Sequence, residues 1–298
     1  MRIFLVGATG VIGRALVPRL LERGDSVVAL VRSRERATAI DRPGVTLVDG
    51  DLLTIGESGL AGALDGCDAA LHMATALRPG SPGLGTTNTN AALRIEGTSV
   101  LLAAVLRAGI ARFVQQSIVM AYPDGRDDWL DESTPFDTSG ARAETSRPVA
   151  EMERMVRALD PRTAAWSILR GGPFVGPATF QDGAIERLRA GTERVPGDGL
   201  NWISPVHVED YAQAVALATH SPAAAGRVLH VTDGPIRNGD YLDRLAERLG
   251  VTHPPLDLNA AAPRSCRCSN RAAQEVLGWE PIHGIWPDLA GSAESTRG

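Results

Sequence analysis

The chain contains no lysine: all 30 of its basic residues are arginine. Arginine stays protonated and does not serve as a tuned amine base or a Schiff-base former, so any mechanism that needs a lysine amine is excluded. Tyrosine is scarce, occurring only as Tyr122, Tyr211 and Tyr241. Cysteine is scarcer in use than in number. Cys266 and Cys268 are too close for ordinary disulfide geometry, and Cys67 leaves an odd count. No further Cys or His cluster lies near them, so no metal site is expected. No apolar run approaches the ~20 residues of a membrane-spanning helix. The net charge of -5 gives no electrostatic case for nucleic acid. A strand pattern from residue 2 leads to the expectation of no signal peptide and a cytoplasmic location.

What is present is concentrated at the start. Ile3 to Val6 form an apolar run that suits a buried parallel strand. Gly7 and Gly10 then open a tight turn, and a helical apolar pattern continues through Val11, Leu16, Leu20 and Leu21. Such a turn brings backbone close to a pyrophosphate, whose charge the first N–H groups of the helix hold. Thr9, Gly10, Val11 and Ile12 are the residues placed to do so. Gly13 has another job, because a missing side chain lets helix and sheet approach. The spacing is Gly-x-x-Gly-x-x-Gly rather than the commoner Gly-x-Gly-x-x-Gly. A plain strand-to-helix turn is the competing reading.

The second strand, Ser26 to Val31, ends in Arg32-Ser33-Arg34. A carboxylate here would bind a free ribose 2′-hydroxyl; arginine suits a 2′-phosphate. Arg32, helped by Ser33, therefore points to NADP, with NADPH preferred over NADH. After the third strand, Val45 to Val48, Asp51 and Leu52 stand where an adenine amino group would lie, although Asp51 equally suits a turn cap. The fourth strand leads through Met73, Ala74 and Thr75 into the crevice. Residues 76–90 read as a pocket-lining loop, and Ala91 to Ala108 as a long helix ended by Gly109. A fifth strand delivers Ser117, and Gly172 and Pro173 come after a sixth. Residues 122–142 read as a second rim loop. The alternation predicts an α/β fold, a Rossmann-like doubly wound parallel sheet with a small C-terminal substrate-binding lobe. Residues 1–177 would form the dinucleotide-binding core, 178–290 a mixed part with the lobe, and 291–298 a tail.

Taken in order, several short motifs resemble the extended short-chain dehydrogenase/reductase family, also called the NAD(P)-dependent epimerase/dehydratase family. They are Gly7-x-x-Gly10-x-x-Gly13, Asp51-Leu52, Gly97-Thr98, and Arg112-Phe113-Val114 before Ser117. Leu169-Arg170-x-Gly172-x-x-x-Gly176-Pro177, Val206-His207-Val208-x-Asp210 and Leu277-Gly278-Trp279-x-Pro281 complete the set. The resemblance implies a catalytic tyrosine, a lysine four residues later that holds the nicotinamide ribose, and a serine or threonine on the preceding strand. Ser117 matches the serine. The pair itself is missing. Counting back from Glu153 places Thr145 and Val149 at the tyrosine and lysine positions; counting from Glu151 places Ala143 and Arg147. Four residues after the three tyrosines stand Arg126, Val215 and Leu245. Tyr122, five residues beyond Ser117, is the candidate replacement proton donor, with Arg126 or Arg147 supplying positive charge. Arg94 stands where the family often has an asparagine. It could bind a substrate anion or a cofactor phosphate, or bridge to Glu96.

Three functional readings are open. The first is an NADP-dependent oxidoreductase acting by carbonyl/alcohol hydride transfer, with a non-standard proton donor. The second is a non-redox enzyme of the same fold: an epimerase, dehydratase or cyclase. The third is a non-catalytic NADP-binding sensor. Met73, Phe174 and Trp202 around the crevice favour a medium-sized, apolar or polyketide-like small-molecule substrate. A homodimer through the helices near Ala108 and Met152 is a further expectation from the resemblance.

Overall fold

The computed structural model describes residues 1–76, 87–140 and 142–287. The first two runs named above become strands buried on both faces, while the third, at the edge of the sheet, is only partly covered. β1 (Arg2–Val6), α1 (Val11–Glu22), β2 (Ser26–Val31) and β3 (Val45–Asp49) form the first half. After α2 (Gly56–Leu64), β4 (Ala69–His72) pairs on the other side of β1. α3 (Thr87–Ala92), a π turn over Leu93–Gly97 and α4 (Thr98–Ala108) then run on as one helix to β5 (Arg112–Ile118). β6 (Trp129–Leu130), α5 (Ala143–Arg157) and β7 (Ala165–Gly171) come next.

The second half adds small ladders: β8 (Phe174–Val175), α6 (Phe180–Arg189), β9 (Val195–Pro196), β10 (Trp202–Ile203) and β11 (Val206–His207). α7 (Val208–His220) and β12 (Arg227–Val231) return to the main sheet. β13 (Ile236–Arg237), α8 (Asn238–Leu249), β14 (Leu256–Asp257), β15 (Arg267–Cys268) and α9 (Arg271–Leu277) end the described chain.

The central sheet has seven strands in the order β12-β7-β5-β4-β1-β2-β3, all parallel. The order reverses between β1 and β4. There the two halves part beyond the strands' carboxyl ends and leave the crevice in which such folds bind ligands. Ile3 and Leu5 pack with Leu16 and Leu20 of α1 and Val215 of α7. Phe4 and Val6 face the opposite way, onto Leu60, Leu101 and Val105. This two-sided burial explains why β1 reads as a continuous apolar run rather than an alternating one. Val175, Leu188, Tyr241, Leu242 and Leu245 form a separate hydrophobic cluster in the second half of the chain.

Three local expectations need correction. Residues 87–90 are helical, not loop; residues 77–86 of that stretch lie outside the described residues. α5 starts six residues before Val149, because Pro148 is accommodated inside it while Ser146 Oγ bonds back to the carbonyl of Arg142. The strand from Trp202 to Val206 is broken at Ser204-Pro205. Pro205 has no N–H to donate, and Ser204 Oγ serves the backbone of Cys266 and Cys268 instead.

Candidate dinucleotide site and the neighbouring corner

The glycine turn is a close-packed cradle. Gly7 lies at φ +92°, and a Cβ there would stand 2.6 Å from the amide nitrogen of Ala74 and from the carbonyl carbon of Met73. A Cβ on Gly13 would stand 2.3 Å from the carbonyl oxygen of Gly7 and 2.4 Å from that of Ala8. Gly10 is the N-cap of α1, with no side-chain cap and no acidic residue in the first turn. The helix thus presents unpaired N–H groups and the positive end of its dipole at the crevice. A cradle of this kind fits a dinucleotide pyrophosphate. Thr9 and Val11 are half-buried along the turn; Ile12 faces the core, so only its backbone is available.

At the adenine end, Arg32 is 70% exposed and is held only loosely, its Nη1 3.9 Å from Asp51 Oδ2. Ser33 stands at the N-cap of a short 3-10 turn. Arg34 is diverted: it donates to Asp49 at 2.7 Å and to the carbonyl of Leu47. Asp51 accepts from the N–H of Leu53 and so caps its own turn. Leu52 is buried, its side chain filling the space where a Cβ on Gly97 would be, 2.9 Å away. Met73 is core, while Ala74 and Thr75 are half-buried beside Gly7. Gly172 is explained by packing, since its Cβ would fall 1.7 Å from the carbonyl oxygen of Ser204, and Pro173 accepts from Val206 N–H. Arg32→Ala is expected to weaken NADPH about 10-fold and leave NADH unchanged, because it removes a charge that only the 2′-phosphate uses. Calorimetric titration with both nucleotides measures this; equal loss for both would refute the assignment of Arg32.

The two residues expected to be catalytic, Ser117 and Tyr122, belong to one buried polar network. Ser117 donates from Oγ to Glu153 Oε1 at 2.6 Å. Arg170 forks onto both oxygens of the same carboxylate, at 2.8 and 2.6 Å, and also donates to the hydroxyl of Tyr122. Burial pushes the Glu153 carboxyl up, but the bonds and charge of Arg170, with Ser117 and Arg157, hold it below its ordinary value. Tyr122 is fully buried, and burial raises its phenol well above the usual range. Its hydroxyl lies 2.6 Å from His230 Nε2. His230 Nδ1 faces the carbonyl of Ser269 at 3.0 Å, so Nδ1 carries the proton and Nε2 accepts from Tyr122. The hydroxyl also lies 3.0 Å from the carbonyl oxygen of Asp131, so both acceptors within reach of the one phenolic proton are inside the protein.

The network also fixes the register of α5. Glu153 faces β5 and the core, whereas Glu151 lies outside and pairs with Arg154. Counted back from the buried Glu153, the tyrosine and lysine positions of the resemblance fall on Thr145 and Val149. Val149 shares an apolar cluster with Ile118, Ala121 and Met152. Ile118 adjoins Ser117 at the end of β5, and both meet α5: Ser117 at Glu153, Ile118 beside Val149 and Met152. His72, at the end of β4, is buried beside Gln115, and burial lowers it to about 4, so it stays neutral. Arg170, Glu153 and His230 were missed as a unit by sequence reasoning. Arg170 stood in a recognised motif, but His230 had no local signal.

The fold and cradle define an NAD(P)-binding α/β protein. A family model described as NAD(P)H-binding matches residues 7–219. The 3-diazoavenalumate denitrifying reductase of a Streptomyces species is 36% identical over 98% of this chain and 99% of its own length. A 4-hydroxy-2-methyl-3-oxo-4-farnesyl-3,4-dihydroquinoline-1-oxide ketoreductase of Stigmatella aurantiaca is 28% identical over 84% of this chain and 74% of its own. The solved structure of MoeE5 in complex with UDP-glucose and NAD superposes with a TM-score of 0.79 at 23% identity, covering 96% of this chain and 95% of that one. The chain belongs to the NAD(P)H-binding family, within the extended short-chain dehydrogenase/reductase group, and is an enzyme of the NAD(P)-dependent, oxidoreductase type. Among the described residues no helix is long and apolar enough to cross a membrane, and no cluster of His, Cys, Asp and Glu could hold a metal.

Proposed function

We propose that this protein is an NADPH-dependent reductase of a medium-sized aromatic metabolite, and that its reaction needs no tyrosine–lysine proton relay. The observation that carries this is the pairing of an intact glycine cradle with an apolar corner. Gly7 and Gly13 are still obligatory for the turn, yet Val149 stands at the lysine position among Ile118, Ala121 and Met152. Thr145, at the tyrosine position, is an alcohol too weakly acidic to replace a phenol. The chain's own residues bind and orient the cofactor through the turn and Arg32, and the corner excludes water from the reacting face.

A diazo carbon is an acceptor that fits such a site. The turn from Gly7 to Gly13 would hold the cofactor's pyrophosphate, and the bound cofactor would supply a hydride; at a diazonium carbon that electron pair would make the new C–H bond while the C–N pair leaves with dinitrogen. Charge balances for an aryl diazonium without a proton from the protein. The likeness to a denitrifying reductase whose name carries a diazo compound supports this choice.

The test is NADPH consumption and dinitrogen release with 3-diazoavenalumate, against a panel of aryl ketones. We expect turnover of the diazo compound at a rate nearly flat between about pH 6 and pH 9, because no side chain of the apolar corner titrates there. A bell-shaped profile with faster ketone reduction would overturn the reading, as would failure of the protein to bind either nucleotide.

A further inference from the structure

Arg94 is a buried cation without a partner among the described residues. It is 9% exposed, and it makes no hydrogen bond or ion pair with any of them. The stretch 77–86 contains no acidic residue to neutralise it. Burial alone lowers its guanidinium, to about 10, with no neighbouring carboxylate opposing the shift. Glu96, two residues on, is exposed and forms no bridge to it. A buried charge left uncompensated is costly, and proteins keep one where a ligand completes it.

The surroundings place this cation at the ligand edge of the sheet. Arg94 lies on the π turn Leu93–Gly97, and such turns recur at functional sites. One turn earlier, Asn90 Oδ1 accepts from the N–H of Ala76 at 2.6 Å, just beyond the end of β4. At the far end of the π turn, Gly97 rests on Leu52, just beyond the end of β3. α5, which carries Thr145 and Val149, packs across the same turn. Arg94 therefore stands between the carboxyl ends of the strands and the helix that bears the vacated relay positions.

We infer that Arg94 is a substrate-binding residue that holds a carboxylate on the molecule being reduced. A planar guanidinium matches a carboxylate through two parallel N–H bonds. The cofactor's own anions have other partners: the pyrophosphate has the N-terminus of α1, and the 2′-phosphate has Arg32. The inference rests on the reductase reading above and names a feature of its substrate, an aromatic acid.

The experiment compares cinnamate with its neutral amide, cinnamamide, on NADP-loaded wild type, Arg94→Met and Arg94→Gln. Wild type is expected to bind cinnamate at least about 10-fold more tightly than the amide. Both variants should lose that preference, while their NADPH affinity stays within about 2-fold of wild type. Arg94→Met should fold at least as stably as wild type, because it removes an unpaired buried charge; if it does not fold, Arg94→Gln carries the comparison. No detectable cinnamate binding to wild type, or equal binding of acid and amide, overturns the assignment. So does a 10-fold loss of NADPH affinity in the variants with the cinnamate preference intact, which would give Arg94 to a cofactor phosphate. Repeating the titration without nucleotide separates this result from a failure of cofactor binding in wild type.

Discussion

Gly10→Asp is expected to produce a protein that is more resistant to heat and no longer binds NADPH usefully. The two effects have one cause. Gly10 has φ -74° and ψ 176°, a conformation open to any residue. A Cβ there would approach only the carbonyl oxygen of Gly7, at 3.2 Å, which a small adjustment relieves. An aspartate at this N-cap accepts from the first-turn N–H groups that are now unpaired, a gain of about 1 kcal/mol. For a chain of this size that corresponds to a rise of roughly 2 °C in Tm. The same N–H groups are the ones a pyrophosphate needs, and the new carboxylate repels it. A loss of at least about 100-fold in NADPH affinity, ~2.7 kcal/mol, is the expected result. Calorimetry and a thermal melt on the same sample read both numbers. Unchanged affinity would mean that the turn does not hold the dinucleotide.

Glu153→Gln should be the most damaging conservative change in the molecule. Glu153 and Arg170 are each 3% exposed at the side chain and 2.6 Å apart, and Arg157 adds a further bond at 3.2 Å. Removing the charge leaves Arg170 buried without its counter-ion, at a cost of about 3–5 kcal/mol. Urea unfolding at neutral pH measures it. Because the folded carboxyl is held below its ordinary value, the pair's contribution is complete above the unfolded pKa of about 4.3 and is lost as pH falls through the folded one. Wild type should therefore lose stability on acidification below about pH 4, and the glutamine variant should lose less over the same range. The double change Glu153→Leu with Arg170→Met should recover much of the loss, since it removes both charges together. If Glu153→Gln is as stable as wild type, the pair does not hold α5 against the sheet.

The sheet was readable because its strands obey local rules. Ser26–Val31 is a run whose ends coincide with polar punctuation, and the structure has the same bounds. The cradle was readable for the same reason, since backbone constraints at Gly7 and Gly13 leave a mark on single positions. The corner was not. Nothing near Tyr122 announces that His230, 108 positions away, lies against its hydroxyl, or that Arg170 arrives from β7. A tyrosine just past a strand end looks the same in sequence whether it faces a crevice or the core. Arg34 shows the limit at one residue's remove from Arg32. Both come after β2, and the bonds of Arg34 to Asp49 and to the carbonyl of Leu47, set by the β2–β3 pairing, separate them.

The π turn at Leu93–Gly97 has a consequence for how this protein can diverge. One residue more than an α turn rotates the upstream half of the helix by about 100° relative to α4. Leu101, Leu102 and Val105 are anchored in the core, so α4 is fixed, and the upstream half takes up the rotation. Deleting a single residue in the turn would swing Asn90 and Arg94 to another face while sparing every anchor in α4. Substrate preference in such a helix can thus change by a one-codon insertion or deletion, a step that position-by-position comparison of aligned side chains would record only as a gap.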